Sequence, residues 1–273
     1  MSVDPLVRAE GFFRTDGDTL VPAEFSTSPW GKVLHGRLLG GLAARAAEAA
    51  IAADPELVCG RLTIDMFRSV PLAPVTVSTR AVRTGRRIAV LDVTIEQDGT
   101  LAGQGRAVLL RRSEQPPGTF QPAPVWDAPA PPRLGPPEAV SGRGWVPPWQ
   151  IWPVGDAYDS LSGGLWVRET HPLVTGEPLT PLERVAMAAD FVSPVSNFST
   201  AGLGFINADY TVYLAREPRG EYVGIQPAGH LSEAGVAVGH CVLYDESGSV
   251  GFVSTSAVAT GLMGSGSRNG DRK

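Results

Sequence analysis

A few short stretches of this sequence hold residues of the kind that chemistry uses. His35-Gly36 stands directly before an apolar, helix-like stretch. Backbone N–H groups at a helix start carry partial positive charge and suit an anion or a developing oxyanion. Glycine there lets a ligand come close. His35 reads equally as a helix cap or a packing residue. Arg83, Arg86 and Arg87 bracket a tight turn, where they could meet phosphates or line a solvated hairpin. His240 and Cys241 are adjacent, and neighbours on a strand face opposite ways, so they lack metal-ligand spacing. No Gly-x-Ser-x-Gly falls in a strand–turn–helix context, and no Gly-x-x-x-x-Gly-Lys loop is present. These patterns predict neither a metal nor a bound cofactor.

The elements that must position such residues come in two similar sets. Arg61-Leu-Thr-Ile-Asp-Met-Phe-Arg68 and Asp209-Tyr-Thr-Val-Tyr-Leu-Ala-Arg216 each have Thr third, Arg last and a proline soon after. A helix-like stretch precedes each run, and three apolar runs follow each. A repeat of this length is a duplicated domain rather than a solenoid period. The first helix is predicted from Gly36 to about Ala53, with Leu38, Leu42, Ala46 and Ala49 at helical spacing. Its face is rich in small residues, which let a helix lie close to a sheet. Strands are predicted at Thr19–Phe25, Leu62–Phe67, Val75–Val82, Ile88–Glu96 and Leu101–Leu110, with Gln97-Asp98-Gly99 as a hairpin turn. In the second half, Thr180-Pro181-Leu182-Glu183 has the form of a capped helix start, and that helix runs to about Asp190. Strands are predicted at Leu165–Arg168, Phe205–Ala215, Glu221–Pro227, Val236–Asp245 and Val250–Ala259.

Residues 113–153 hold 12 of the 24 prolines and four of the six tryptophans, Trp126, Trp145, Trp149 and Trp152. They read as an extended, proline-stiffened crossover whose rings cover core edges or line a substrate tunnel. The expected organisation is 1–112, a 113–153 crossover, 154–261, and a disordered tail over 262–273. The chain of 273 residues is 43% hydrophobic with a net charge of −5. Its basic residues are scattered, which argues against a nucleic-acid partner. No apolar run approaches a membrane span, and Met-Ser-Val-Asp-Pro lacks the features of a signal peptide. Cys59 and Cys241 read as small buried hydrophobes, so the expected compartment is cytoplasmic.

One long helix wrapped by a curved antiparallel sheet, in two tandem copies, is an α+β plan and resembles a double hotdog protein. Trp30-Gly31 and His35-Gly36-Arg-Leu-Leu-Gly-Gly-Leu resemble the segment that opens the hotdog helix in acyl-CoA thioesterases of the medium-chain type II class. Asn207 to Pro218, Glu221-Tyr-Val-Gly and Leu243-Tyr-Asp-Glu-Ser-Gly-Ser-Val-Gly251 resemble thioesterase-like proteins common in actinobacteria. In that family an Asp at the end of the second helix, a Thr at the next strand and a Gln on the last strand hold a water against the thioester. By resemblance Asp190 matches the Asp, Asn207 the Thr, and Ser256 or Thr255 the Gln. Ser or Thr for Gln loses reach and the amide's combined donor and acceptor. His35-Gly36 would then supply the oxyanion donors.

The resemblance implies an acyl-CoA or other acyl-thioester substrate, hydrolysis by an Asp190-positioned water between the halves, and a homo-oligomer formed through edge strands. The shortened Gln position implies an alternative, an acyl-thioester-binding hotdog protein with weak or no turnover. A hotdog dehydratase would need a His and a carboxylate facing each other across the seam. The second half offers no His at its helix start.

Overall fold

This computed structural model describes residues 10–28, 31–137, 147–155 and 163–263. The first half opens with β1 (Phe13–Asp16), β2 (Thr19–Pro22), β3 (Thr27–Ser28) and β4 (Gly31–Leu34). Helix α1 (Gly36–Ile51) follows, then the meander β5 (Leu57–Met66), β6 (Val75–Thr84), β7 (Ile88–Gln97) and β8 (Thr100–Arg111). After the crossover come β9 (Trp149–Val154), β10 (Gly164–Glu169), α2 (Pro181–Ala189) and α3 (Val192–Asn197). The second half ends with β11 (Phe198–Ser199), β12 (Gly202–Asn207), β13 (Asp209–Leu214), β14 (Tyr222–Glu233), β15 (Val236–Asp245) and β16 (Gly248–Met263).

The two halves share one antiparallel sheet, ordered β1-β2-β6-β7-β8-β5-β13-β16-β15-β14-β10-β9. Its centre is the pairing of β5 with β13, the two repeated octapeptides. Thr63 stands opposite Thr211, and their hydroxyls are 3.1 Å apart. Equivalent residues that meet each other in this way mark a two-fold relation between the halves. The opening segment ties the halves again, because Phe13 N–H donates to Leu173 C=O. The predicted turn at 97–99 has Asp98 and Gly99 both at positive φ, as a two-residue hairpin requires.

The helices lie side by side on the sheet, α1 against α2. At Gly40 an added Cβ would lie 1.7 Å from the Tyr210 hydroxyl, so only glycine fits this crossing. That hydroxyl donates to Ala186 C=O at 2.9 Å. Thr180 caps α2 by accepting from Glu183 N–H at 3.1 Å, and Glu183 Oε2 accepts from Thr180 N–H at 2.9 Å. The expected box is therefore formed. The expectation of one long helix in each half is corrected: α1 has 16 residues, but α2 has nine and a six-residue α3 follows. Pro194 has no N–H to offer the Asp190 carbonyl and its ring crowds that turn. The chain tightens instead, with Phe191 N–H donating to Ala188 C=O at 3.0 Å.

The described part of the crossover, 113–137 and 147–153, is extended apart from one short turn, and its last residues fall in the edge strand β9. Trp126 stacks on Trp166 at 5.2 Å, and Trp152 Nε1 donates to Gly135 C=O. Trp30 and Trp145 lie outside the described residues, as does the expected tail beyond Met263; residues 262 and 263 belong to β16. No described helix is long and apolar enough to cross a membrane.

Arg37 is fully buried in α1 and pairs with the buried Glu169 of β10. Its guanidinium carbon lies 4.5 Å from the Trp149 ring centre, and its Nε is 3.4 Å from Met187 C=O. One charged pair thus joins helix, sheet and crossover. Glu169→Gln leaves the Arg37 charge uncompensated and should cost about 3–5 kcal/mol in urea unfolding. The double change Arg37→Met with Glu169→Leu should cost far less.

At the other end of the helix pair, Thr180 Oγ1 donates to Glu48 Oε2 at 2.7 Å. Burial raises the Glu48 and Glu183 carboxyls to about 7. Such groups bind protons more tightly folded than unfolded. Their stabilisation is complete below the unfolded value of about 4.5 and is lost as pH rises through about 7. Melting curves across that window should show stability falling with pH, and Glu48→Gln should flatten the slope.

Candidate active site

Asp190 is the last residue of the α2 turn, at the point where Pro194 forces the chain out of its helix. Its side chain is 14% exposed, wet enough to reach a substrate yet mostly desolvated. Asn207, the last residue of β12, donates from Nδ2 to Asp190 Oδ1 at 2.8 Å. His35 caps α1, and its Nδ1 lies 3.7 Å from Asp190 Oδ2. The carboxylate therefore sits where the start of α1, the end of α2 and the end of β12 converge.

The electrostatics of these groups differ. Burial raises the Asp190 carboxyl above the usual range, while the Asn207 bond and the nearby Arg37 charge pull it down. His35 is pushed to about 3 by burial and by Arg37. It is a neutral ring, and its Nδ1 accepts from Arg37 N–H at 3.4 Å. That contact assigns the proton to Nε2. Gly36 is the first residue of α1, where N–H groups have no helical partner. A Cβ there would press on Met66 Sδ at 2.9 Å and stand 4.0 Å from Asp190 Oδ2.

Two cavities meet at this cluster. One, of about 330 Å³, opens past Met66, Phe67 and Arg68. The other, of about 160 Å³, is walled by Trp149, Phe191, Pro194, Leu203 and Phe205. His35, Asp190, Ile206 and Asn207 line both. A group crossing from one to the other would pass the Asp190 carboxylate and the α1 start. The arrangement offers an acceptor for a proton, an amide beside it, and backbone donors for an anion.

The structure brings together Asp190, Asn207, His35 and Gly36. It does not bring Ser256 and Thr255 to them, and those two assignments are corrected. Ser256 donates from both its N–H and its hydroxyl to the Asp209 carboxylate. Thr255 Oγ1 donates to Asp209 C=O at 2.7 Å. The residue paired with Asn207 is Ala257, and side chains alternate along a strand, so Ser256 points to the other face. Arg83, Arg86 and Arg87 are exposed on the β6–β7 hairpin and line neither cavity, whereas Arg68 lines the larger one.

Two contributors, Arg37 and Phe191, were not singled out from the sequence, whereas Trp149 is one of the crossover rings read as covering core edges or lining a substrate tunnel. Trp149 packs edge-on to His35 at 5.3 Å and to Phe191 at 5.5 Å. Arg37 lies beneath that ring. Its only signal in the sequence is a lone charge at helical spacing from Gly41 and Ala44, on the face that meets α2. Phe191, next to the helix break, carries no such signal.

The acyl-CoA thioesterase N-terminal domain family matches residues 26–110, and the acyl-CoA thioesterase C-terminal domain family matches residues 120–257. No curated protein sequence matches the chain. A conserved protein of unknown function with a hot dog fold from Alicyclobacillus acidocaldarius is 20% identical, with 92% of this chain and 96% of that chain covered and a TM-score of 0.68. The tesB protein of Mycobacterium avium subs paratuberculosis is 15% identical, with 90% and 94% covered and a TM-score of 0.60. An acyl-CoA thioesterase II, TesB2, from Mycobacterium marinum is 18% identical, with 82% and 90% covered and a TM-score of 0.59. These structures share the hotdog fold with this chain. With both domain families matched in order, the chain belongs to the acyl-CoA thioesterase family.

Proposed function

We propose that this chain is a double hotdog thioester hydrolase, acting on an acyl-CoA or related acyl thioester with a water held by Asp190 and Asn207. Family membership supports thioester hydrolysis as the general chemistry. The observation that carries the finer reading is the Asp190 carboxylate, oriented by Asn207, at the junction of two cavities and beside the start of α1. Asp190 Oδ2 takes a proton from the water as the water oxygen attacks the carbonyl carbon. The Gly36 N–H, at the positive end of α1, faces the oxyanion that forms. The C–S bond then breaks, the thiolate leaves, and the proton passes from Asp190 to the sulfur. His35 stays neutral throughout and presents Nε2–H as a donor. We read the protein as a homo-oligomer by resemblance, and as cytoplasmic from its two buried, free cysteines.

One observation favours a second reading, a binding protein with little turnover. β16 contains no Gln or Asn, and the residue across from Asn207 is Ala257. The water then has one amide instead of two.

Incubating the protein with acyl-CoAs and following free thiol separates the readings. Asp190→Asn should lower kcat by about 100-fold or more. Because burial raises the Asp190 carboxyl, its base form is lost as pH falls through that raised value. The kcat/KM profile should decline on the acid side and lose that limb in the mutant. Unchanged turnover in Asp190→Asn removes Asp190 from the mechanism, and saturable binding without turnover establishes the second reading.

A further inference from the structure

The two cavities at Asp190 differ in kind, and the difference bears on what the substrate is. The larger one has the exposed Arg68 and Ser69 at its rim, with Phe67 beside them. It suits a long, polar carrier arm that continues into solvent. The smaller one is apolar apart from the Asp190 cluster and Ser193. Its back wall is Trp149, and that ring is held on three sides: by the Arg37 guanidinium at 4.5 Å, by His35 at 5.3 Å and by Phe191 at 5.5 Å. Trp149 also stands across β9–β10 from Glu169, the partner of Arg37. Moving the ring to lengthen the cavity would disturb a buried ion pair. The wall is therefore rigid on that side, and the cavity of about 160 Å³ cannot lengthen through it.

We propose that the smaller cavity is the acyl site and that its Trp149 wall restricts this protein to short or aryl acyl groups of about six carbons. An apolar cavity of about 150 Å³ accepts a benzene-sized guest, which sets the scale. The inference rests on the thioesterase reading for the position of the carbonyl, which lies between the two cavities at Asp190 and Gly36. Long fatty acyl chains are excluded because their added methylenes find no apolar volume beyond Trp149. Leu203 and Phe205 form the side wall from β12, and they are half-buried, so they can be changed without touching the ion pair.

S-alkyl and S-benzyl thioethers of CoA test the limit without any need for turnover. Titrated into the full chain, affinity should rise about fourfold per methylene up to about six carbons and then level off or fall. The benzyl thioether should bind as well as the six-carbon chain. Phe205→Ala should move the break to longer chains. Leu203→Trp should remove the gain from six carbons. Affinity that keeps rising to sixteen carbons, or a break that neither substitution moves, overturns the size limit. Clear length-dependent binding with no hydrolysis of the matching acyl-CoA sinks the hydrolase reading and leaves the limit standing. Binding of no thioether at all sinks both.

Discussion

The burial of the Arg37 charge is the constraint around which the rest of this molecule is arranged. A guanidinium without solvent needs a carboxylate, and Glu169 on β10 provides it. It also needs a flat partner for its face, and Trp149 from the crossover provides that. These two demands fix where β9 and β10 lie relative to α1. They also place a fixed positive charge near both His35 and Asp190. Burial first and then this charge keep the imidazole neutral, and the charge moderates the effect of burial on the carboxyl. A packing element and an electrostatic element of the site are thus the same side chain.

The second determinant is the continuous sheet. Because β5 and β13 pair directly, the halves cannot slide or separate without breaking the middle of the ladder. The helices are held equally tightly, since Gly40 lets the Tyr210 hydroxyl reach Ala186. Against this rigid frame the break at Pro194 is what makes the site. An unbroken helix would carry Asp190 on along the helix axis. The tightened turn leaves it at the junction, with Asn207 in reach.

Much of this was legible in the sequence, and the misses have physical causes. The helix start at Thr180, the turn at Asp98-Gly99 and the repeated octapeptides are local signals, and each one forms as read. Asp190 and Asn207 were placed by likeness to a family, and they do touch. Ser256 failed because parity along β16 is set by the bulged β12–β16 register, which no local pattern reveals. A slip of one residue turns a side chain to the opposite face. The end of α2 near Asp190 was also legible, and only the extra turn α3 beyond it went unread. Arg37 was hidden for a different reason: a charge in a helix normally marks the wet face, and only tertiary pairing inverts that rule.

The two-fold relation at Thr63 and Thr211 has a corollary for the two ends of the helix pair. Symmetry makes two helix-end junctions, one where α1 begins beside Asp190, the other where α2 begins beside Glu48. The second also holds a carboxylate facing a cap residue. There the Thr180 hydroxyl is bonded to Glu48, and Arg45 grips Glu177 through two bonds of 2.7 Å each. In this chain the two differ: the Glu48 junction is latched by these bonds, while the Asp190 junction borders two cavities.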